Sequence, residues 1–535
     1  MAVLKDWLSK LAYEVLSGTD EAEVTEVIYD SRKAAPDTVF VCITGTKSDS
    51  HDFIEEAAEK GCRCFVVEKK LDELKLPAAL LEGDSALNLI RVKNSRSALA
   101  YLSGARFGNP SEKLVMIGIT GTKGKTTTTC MISEILKHCG EKVGIIGTNG
   151  CEIAGEHFLT RNTTPESYEL HRYFAQMVEA GCKYTIMECS SQGFKLHRTD
   201  GIIFDYGLYL NLSPDHIGPL EHADFAEYLS CKAKLLTQSR TAILNGEDAH
   251  AGEVLEAAKR YWMPDCPFVS ADGIPAQNPL EHTYTCGLSE TDDLRASDLH
   301  YVAGAEFVGV TFRTSGIYED EVQLSVPGAF NVLNALAAIA VSAFLQLPRE
   351  KVNEALANIH VDGRMETVFR SPRFQVIVDY AHNEVSMESL LATLRSYRPG
   401  RLVVVFGCGG NRSKERRTGM GSVAARSADL SIFTSDNSRY EKPEDIIADI
   451  KEAYLTAGGS VENCREIPDR RAAIRYALEH AKQNDLIAVI GKGHEDYQEE
   501  NGVRKHFLDR EVILEEAKAL GLLEEPECGA QTTEA

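Results

Sequence analysis

The chain reads as an α/β protein of three domains. These are a small N-terminal α/β domain, a central P-loop domain with a parallel sheet and an antiparallel addition, and a C-terminal Rossmann-like domain. Three observations predict this. The 535 residues exceed what one hydrophobic core organises. β-rich apolar runs alternate with helical pattern in three separate stretches. The segment Gly121-Thr122-Lys123-Gly124-Lys125-Thr126-Thr127 also lies between an apolar run (114–119) and a helix-like stretch (128–138), the order strand, phosphate loop, helix.

The first domain is expected over residues 1–107. It opens on a short amphipathic helix (1–8) rather than a signal peptide, followed by strands at 24–29, 39–43 and 64–67 and a helix at 53–60. Gly108 and Pro110 break both helix and strand, so 107–111 is a linker. The central domain spans 112–358, with further buried strands at 143–146, 184–187 and 206–210. Turn-rich, alternating segments at 299–302, 309–313 and 322–326 suggest the antiparallel addition within 262–325, and a helix at 331–345 closes the domain. The third domain, 359–523, carries strands at 376–379, 402–406, 430–434 and 486–490. Each of these strands runs into polar or glycine residues, where ligands gather in such sheets. A polar tail, 524–535, is expected to be disordered.

Composition narrows the function. Lys+Arg 57 against Asp+Glu 80 leaves a net charge of −23, which disfavours nucleic acid and anionic lipid as partners. No run of 18 apolar residues exists, so no membrane insertion is expected. The 14 cysteines form no C-x-x-C pair, and several lie inside apolar runs, which fits a reducing cytoplasm and gives no support for a zinc site.

The phosphate loop carries the first chemistry. Backbone N–H groups and the helix N-terminus surround phosphate oxygens, Lys125 reaches the terminal phosphates, and Thr126 offers a hydroxyl to Mg²⁺; ATP is the expected nucleotide. The spacing departs from the usual P-loop, since Gly121 stands three residues before Gly124 and Gly118 six before it. Glu188 ends a strand and could hold metal or polarise water. The run Asn211–His216 ends the next strand. Mg²⁺ prefers oxygen ligands, so His216 is either a structural or helix-capping residue or a ligand in a mixed site.

These motifs occur together, in order, with Met187-Glu188-Cys189-Ser190-Ser191, the run 328–335, Gly363-Arg364-Met365-Glu366 and Gly491-Lys492-Gly493-His494-Glu495. The set resembles the Mur ligase family over residues 20–515, most closely its branch that adds the third residue of the peptidoglycan stem peptide. The resemblance implies a ligase joining UDP-MurNAc-L-Ala-D-Glu to a diamino acid through an acyl phosphate, with ATP and Mg²⁺. A monomer is expected. Lys232 matches the family's carbamylated lysine, which would help hold a second Mg²⁺; on spacing alone it is a solvated helix lysine. Lys125, Glu188, His216 and Lys232 are then the catalytic set, with Thr126, Glu188, His216 and Lys232 at metal.

The same resemblance extends nucleotide binding to Asn334, Arg364, Asp379 and His382; Arg364 could instead be a surface ion pair and His382 a packed imidazole. UDP-sugar contacts fall on Ser31, Thr46, Lys47, Ser48, Asn162, Thr163, Thr164, Ser190 and Arg198. The chain departs from the family at Asn383-Glu384, where Thr-Pro is usual, and at Gln192 and Leu196. For the amino acid, Arg412, Asp436, Asn437, Ser438, Arg439, Gly491 and Glu495 line the expected pocket. Arg439 favours meso-diaminopimelate, because a guanidinium can grip the distal carboxylate bidentately; Ser438 replaces a typical proline, and L-lysine or another diamino acid stays open. Related amide ligases, including folylpolyglutamate-synthase-like enzymes, and a non-enzymatic nucleotide switch are the competing readings.

Overall fold

The computed structural model describes residues 2–45, 48–83, 86–218, 221–261, 279–303 and 307–523. Thr46 and Lys47, the start of the expected antiparallel addition and the tail 524–535 lie outside them. The chain packs as two compact units: residues up to Ala296 with Thr314–Glu319 and Leu333–Ala355, and the remainder.

Two main sheets and a short pair, Ala2–Val3 with Glu23–Val24, organise the first unit. The N-terminal one orders Tyr13–Ser17, Asn88–Val92, Cys64–Val67, Thr38–Val41 and Glu26–Ile28. All its pairs are parallel except the first, which is antiparallel. The amphipathic N-terminus forms only a single turn, Leu4–Trp7, that buries Leu4 and Trp7.

The central sheet runs Val143–Gly147, Tyr184–Glu188, Val115–Thr120, Phe204–Tyr209, Ser239–Asn245 and His282–Gly287, all parallel. Met116, Ile146, Met187, Phe204 and Leu235 share one buried cluster beneath it, so the strands need no polar face and read as continuous apolar runs.

The addition expected within 262–325 extends the central sheet beyond Ser239–Asn245. Its opening pairs are parallel: His282–Gly287 with Ser239–Asn245, and Cys286 with Leu294. Asp293 accepts from the Thr285 amide (2.8 Å) and Asp292 from that of Ser289 (3.0 Å), which folds the intervening loop tightly enough for the chain to resume in the same direction. Leu294–Ala303, Val308–Gly316 and Asp320–Leu324 then follow in chain order. Antiparallel pairing occurs at the opposite edge, in Gly150–Ile153 and Glu156–Phe158.

The second unit's main sheet orders Glu366–Arg370, Phe374–Asp379, Asp485–Ile490, Arg401–Phe406, Leu430–Phe433 and Cys464–Glu466. Only its first pair is antiparallel. Val376, Val378, Val403, Val405, Ile432, Ile487 and Val489 join its core. The carboxyl ends of four parallel strands are therefore left to carry loops on one edge.

Candidate active site

The phosphate loop is fixed from below. Thr122 N–H donates to the Asn211 carbonyl (2.9 Å), Lys123 N–H to Asn211 Oδ1 (2.9 Å), and Asn211 Nδ2 back to the Lys123 carbonyl (3.0 Å). Asn211 thus clips the loop to the neighbouring strand end. Gly124 enters the Lys125–His138 helix at φ +88, and a Cβ there would lie 2.5 Å from Asn334 Oδ1. Only glycine suits both the backbone and that contact. Asn334, on the Ala329–Phe344 helix, is thereby placed over the loop. Thr126 and Thr127 occupy the helix's first turn, where the N–H groups favour an anion.

Helix Phe225–Thr237 packs across the same strands, and Gly118 makes this possible. A Cβ at Gly118 would lie 2.6 Å from Leu235 Cδ1 and 2.8 Å from Phe204. The close approach delivers Lys232, 2% exposed, to the loop, where its Nζ donates to the Gly121 carbonyl at 2.8 Å. Lys125 Nζ donates to that carbonyl at 2.8 Å as well. Burial, then the Lys125 charge, pushes the Lys232 ammonium well below its ordinary range. The solvated-lysine reading of Lys232 is overturned by this burial.

Tyr228 ties the arrangement together. Its ring faces Lys232 Nζ at 4.7 Å, and its hydroxyl lies 3.1 Å from Thr122 Oγ1. The fully buried His222 packs against it with its ring tilted (5.3 Å) and bonds Ser191 Oγ through Nε2 at 2.9 Å. Neither residue was singled out by sequence, because each acts on groups from other segments. His216 is exposed, with φ +56; its ring lies 6.1 Å from that of Tyr228, and its Nδ1 is engaged by Glu221 at 2.8 Å.

Glu188 is buried at the end of its strand, level with Ile119. Thr148 N–H (3.1 Å) and Thr148 Oγ1 (3.0 Å) each donate to one of its oxygens. Remaining lone pairs leave the carboxylate able to serve a hard cation. Thr148 went unrecognised because it follows a strand as an ordinary turn residue.

A cavity of about 920 Å³ brings Ser31, Ser48 and Asn162 together with Arg32, Lys33, Arg161, Tyr29 and Tyr173. Thr164 Oγ1 donates to the Glu188 carbonyl (2.9 Å), Ser190 caps the Ser191–Lys195 helix through Gly193 N–H (3.0 Å), and Arg198 grips Glu166 at 2.6 Å. Thr163 Oγ1 lies 3.3 Å from Thr148 Oγ1.

In the second unit the strand-end loops form a separate cluster. Asp379 accepts from the Met365 and Ala381 amides, each at 2.8 Å, and burial raises its pKa. The Arg364 guanidinium lies over the Tyr380 ring at 4.7 Å, and the half-buried His382 bonds the Tyr380 carbonyl at 2.9 Å, its pKa lowered by burial. Arg439 sits at φ +52 with Nη1 donating to the Gly410 carbonyl at 2.7 Å. Asn437 Nδ2 donates to Glu495 Oε2 at 2.9 Å, and Gly491 follows Ile490 beside Asp436. Ser438 is buried, whereas Arg412 is exposed. Arg470, fully buried against Asp509 at 2.6 Å, fastens two of these loops by donating to the Ser435 (3.3 Å) and Ile490 (3.1 Å) carbonyls.

Comparison with known proteins matches three family descriptions: "Mur ligase family, catalytic domain" over residues 23–106, "Mur ligase middle domain" over 119–342, and "Mur ligase, glutamate ligase domain" over 363–493. Among curated relatives, a UDP-N-acetylmuramoyl-L-alanyl-D-glutamate–2,6-diaminopimelate ligase of Clostridium perfringens is 35% identical, covering 96% of this chain and 99% of its own. The protein of the same name from Caldanaerobacter subterraneus is 36% identical, covering 96% and 98%. A solved structure of a ligase so named superimposes with TM-score 0.71 at 27% identity, covering 96% of this chain and 99% of the other. A Mycobacterium tuberculosis folylpolyglutamate synthase shares the fold, with TM-score 0.54 at 18% identity over 79% of this chain and 95% of its own.

Proposed function

The chain belongs to the Mur ligase family, and from that premise we propose that it joins meso-diaminopimelate to UDP-MurNAc-L-Ala-D-Glu, cleaving ATP to ADP and phosphate. Relatives that carry this activity in their names align along nearly the whole chain. In the first step the D-Glu side-chain carboxylate attacks the terminal phosphorus, forming a P–O bond as the bond to ADP breaks. In the second the incoming amine attacks the acyl carbon; a C–N bond forms, phosphate leaves, and the amine gives up a proton.

Several negative groups must meet for the first step. Lys125 and the first-turn amides of the Lys125–His138 helix oppose that charge from fixed positions, which costs no reorganisation when the phosphoryl moves. Thr126 and the buried Glu188 supply oxygen donors that fit Mg²⁺, and a carbamate on Lys232 would add more. When bound, Mg²⁺ would neutralise phosphate oxygens. Glu221 engages His216 through Nδ1, which leaves Nε2 as the nitrogen that could serve a metal in a mixed site.

Arg439 carries the choice of amino acid. Its anchor on the Gly410 carbonyl holds a guanidinium among the same strand-end loops as Asp436 and Glu495, which together can address a carboxylate and an ammonium at the far end of a substrate. Lysine offers no carboxylate for that cation. ADP release by the purified protein, measured with the UDP-muramyl dipeptide and a panel of amino acids, should require diaminopimelate. Equal turnover with lysine would reject the selectivity, and turnover with no amino acid would reject the ligase reading.

A further inference from the structure

Beyond the main sheet, the second unit carries a two-stranded hairpin, Tyr497–Glu500 with Val503–His506. It has no counterpart in the chemistry described so far, yet it grips the loop that bears Arg439. Gln498 Nε2 donates to Ser435 Oγ at 2.7 Å and to the Asp436 carbonyl at 3.1 Å. Glu499 N–H donates to Asn437 Oδ1 at 2.9 Å, leaving the other end of that amide for Glu495. Arg439 N–H donates to the Glu499 carbonyl at 3.0 Å, and Asn501 N–H returns to the Arg439 carbonyl.

Arg439 needs this hold. At φ +52 it is a non-glycine residue in left-handed backbone, a conformation kept only where the surroundings over-determine it. The hairpin pairs both its N–H and its carbonyl. Gln498 holds the Ser435 hydroxyl and the Asp436 carbonyl where the loop begins, and of these grips it is the one made by a hairpin side chain; the others use backbone that any residue would supply.

We propose that Gln498 is a positioning residue for amino-acid selection. By holding Ser435 and Asp436 it fixes the loop on which Arg439 and Asn437 stand, and so sets discrimination between a diamino acid with a distal carboxylate and one without. This rests on the reading that Arg439 and Glu495 face the amino-acid substrate.

The test compares full-length wild type with Q498A, Q498E and K505A in steady-state kinetics, with thermal unfolding alongside. Lys505 lies across the hairpin from Gln498 and is exposed, so K505A should match wild type. Q498A is expected to raise KM for diaminopimelate about tenfold and to lower its preference over lysine by a similar factor. KM for ATP and the UDP-muramyl dipeptide should stay within about twofold. Q498E keeps the size but cannot donate to the Asp436 carbonyl, and should shift the same KM in the same direction; it decides the matter if Q498A does not fold. An unchanged KM for the amino acid, or equal rises in all three KM values, overturns the proposal. Wild type that turns over another amino acid instead would overturn the substrate reading alone, and the Gln498 comparison is then made on that amino acid's KM.

Discussion

Lys125 and Lys232 donate to one carbonyl oxygen, that of Gly121, each at 2.8 Å. Two ammonium groups meeting at one buried acceptor repel each other, and the one without solvent yields. Burial, and after it the Lys125 charge, lowers the Lys232 pKa, which makes the neutral amine that adds CO₂ more accessible, and converting it to an anionic carbamate would turn the repulsion into attraction.

Turnover should accordingly depend on bicarbonate. Lowering pH protonates the amine and opposes carbamylation, so activity should fall toward acid and fall less when bicarbonate is raised. Lys232→Ala is expected to lose at least about a hundredfold in kcat and all bicarbonate dependence, since the anion would be supplied only by this side chain. ADP release over a bicarbonate series checks both; near-normal turnover of Lys232→Ala removes the carbamate from the account.

The parallel strands of each unit were legible because strands buried on both faces leave unbroken apolar runs: the segment at 184–187 appears as Tyr184–Glu188, and that at 402–406 as Arg401–Phe406. Strand direction is not written there, because alternation reports which face is wet and says nothing about polarity of the chain. Glu188 could be suspected from its place after an apolar run. Tyr228, Thr148 and Gln498 could not, since each acts by supporting another residue from a different segment, and no local spacing encodes such a partnership.

Gly118 sits in mid-strand, where glycine is otherwise a weakness. Replacing it with alanine would drive a methyl into Leu235 and Phe204 and push helix Phe225–Thr237 outward. Gly118→Ala should destabilise by about 1–3 kcal/mol, the usual penalty for overpacking, and raise KM for ATP as Lys232 withdraws from the loop. Urea unfolding and ATP kinetics read the two effects separately; a stable variant with unchanged KM would show that the helix does not depend on this contact.

The Arg470–Asp509 pair is wholly buried and fastens the Ser435 and Ile490 loop ends. Breaking one partner strands a charge, so Arg470→Met should cost about 3–5 kcal/mol. Arg470→Met with Asp509→Leu should recover much of that stability without restoring the two carbonyl bonds. The double variant is therefore expected to melt near wild type while its KM for the amino acid stays raised. Parallel recovery of both would mean that the pair serves stability alone.

His171, on helix Ser167–Glu179, is buried with its ring edge against Phe174, and burial lowers its pKa from 6.5 to about 4. The unfolded chain takes up this proton near pH 6.5, the folded one only near pH 4. Between those values the unfolded state binds more protons, so stability must fall as pH drops through the window and recover as pH rises above it. By linkage the loss between pH 7 and pH 5 amounts to about 2 kcal/mol. His171→Leu carries no such proton, so its urea midpoint should change less than that of wild type over the same interval, whatever its stability at pH 7. Identical pH slopes for the two proteins would place the acid sensitivity in other groups.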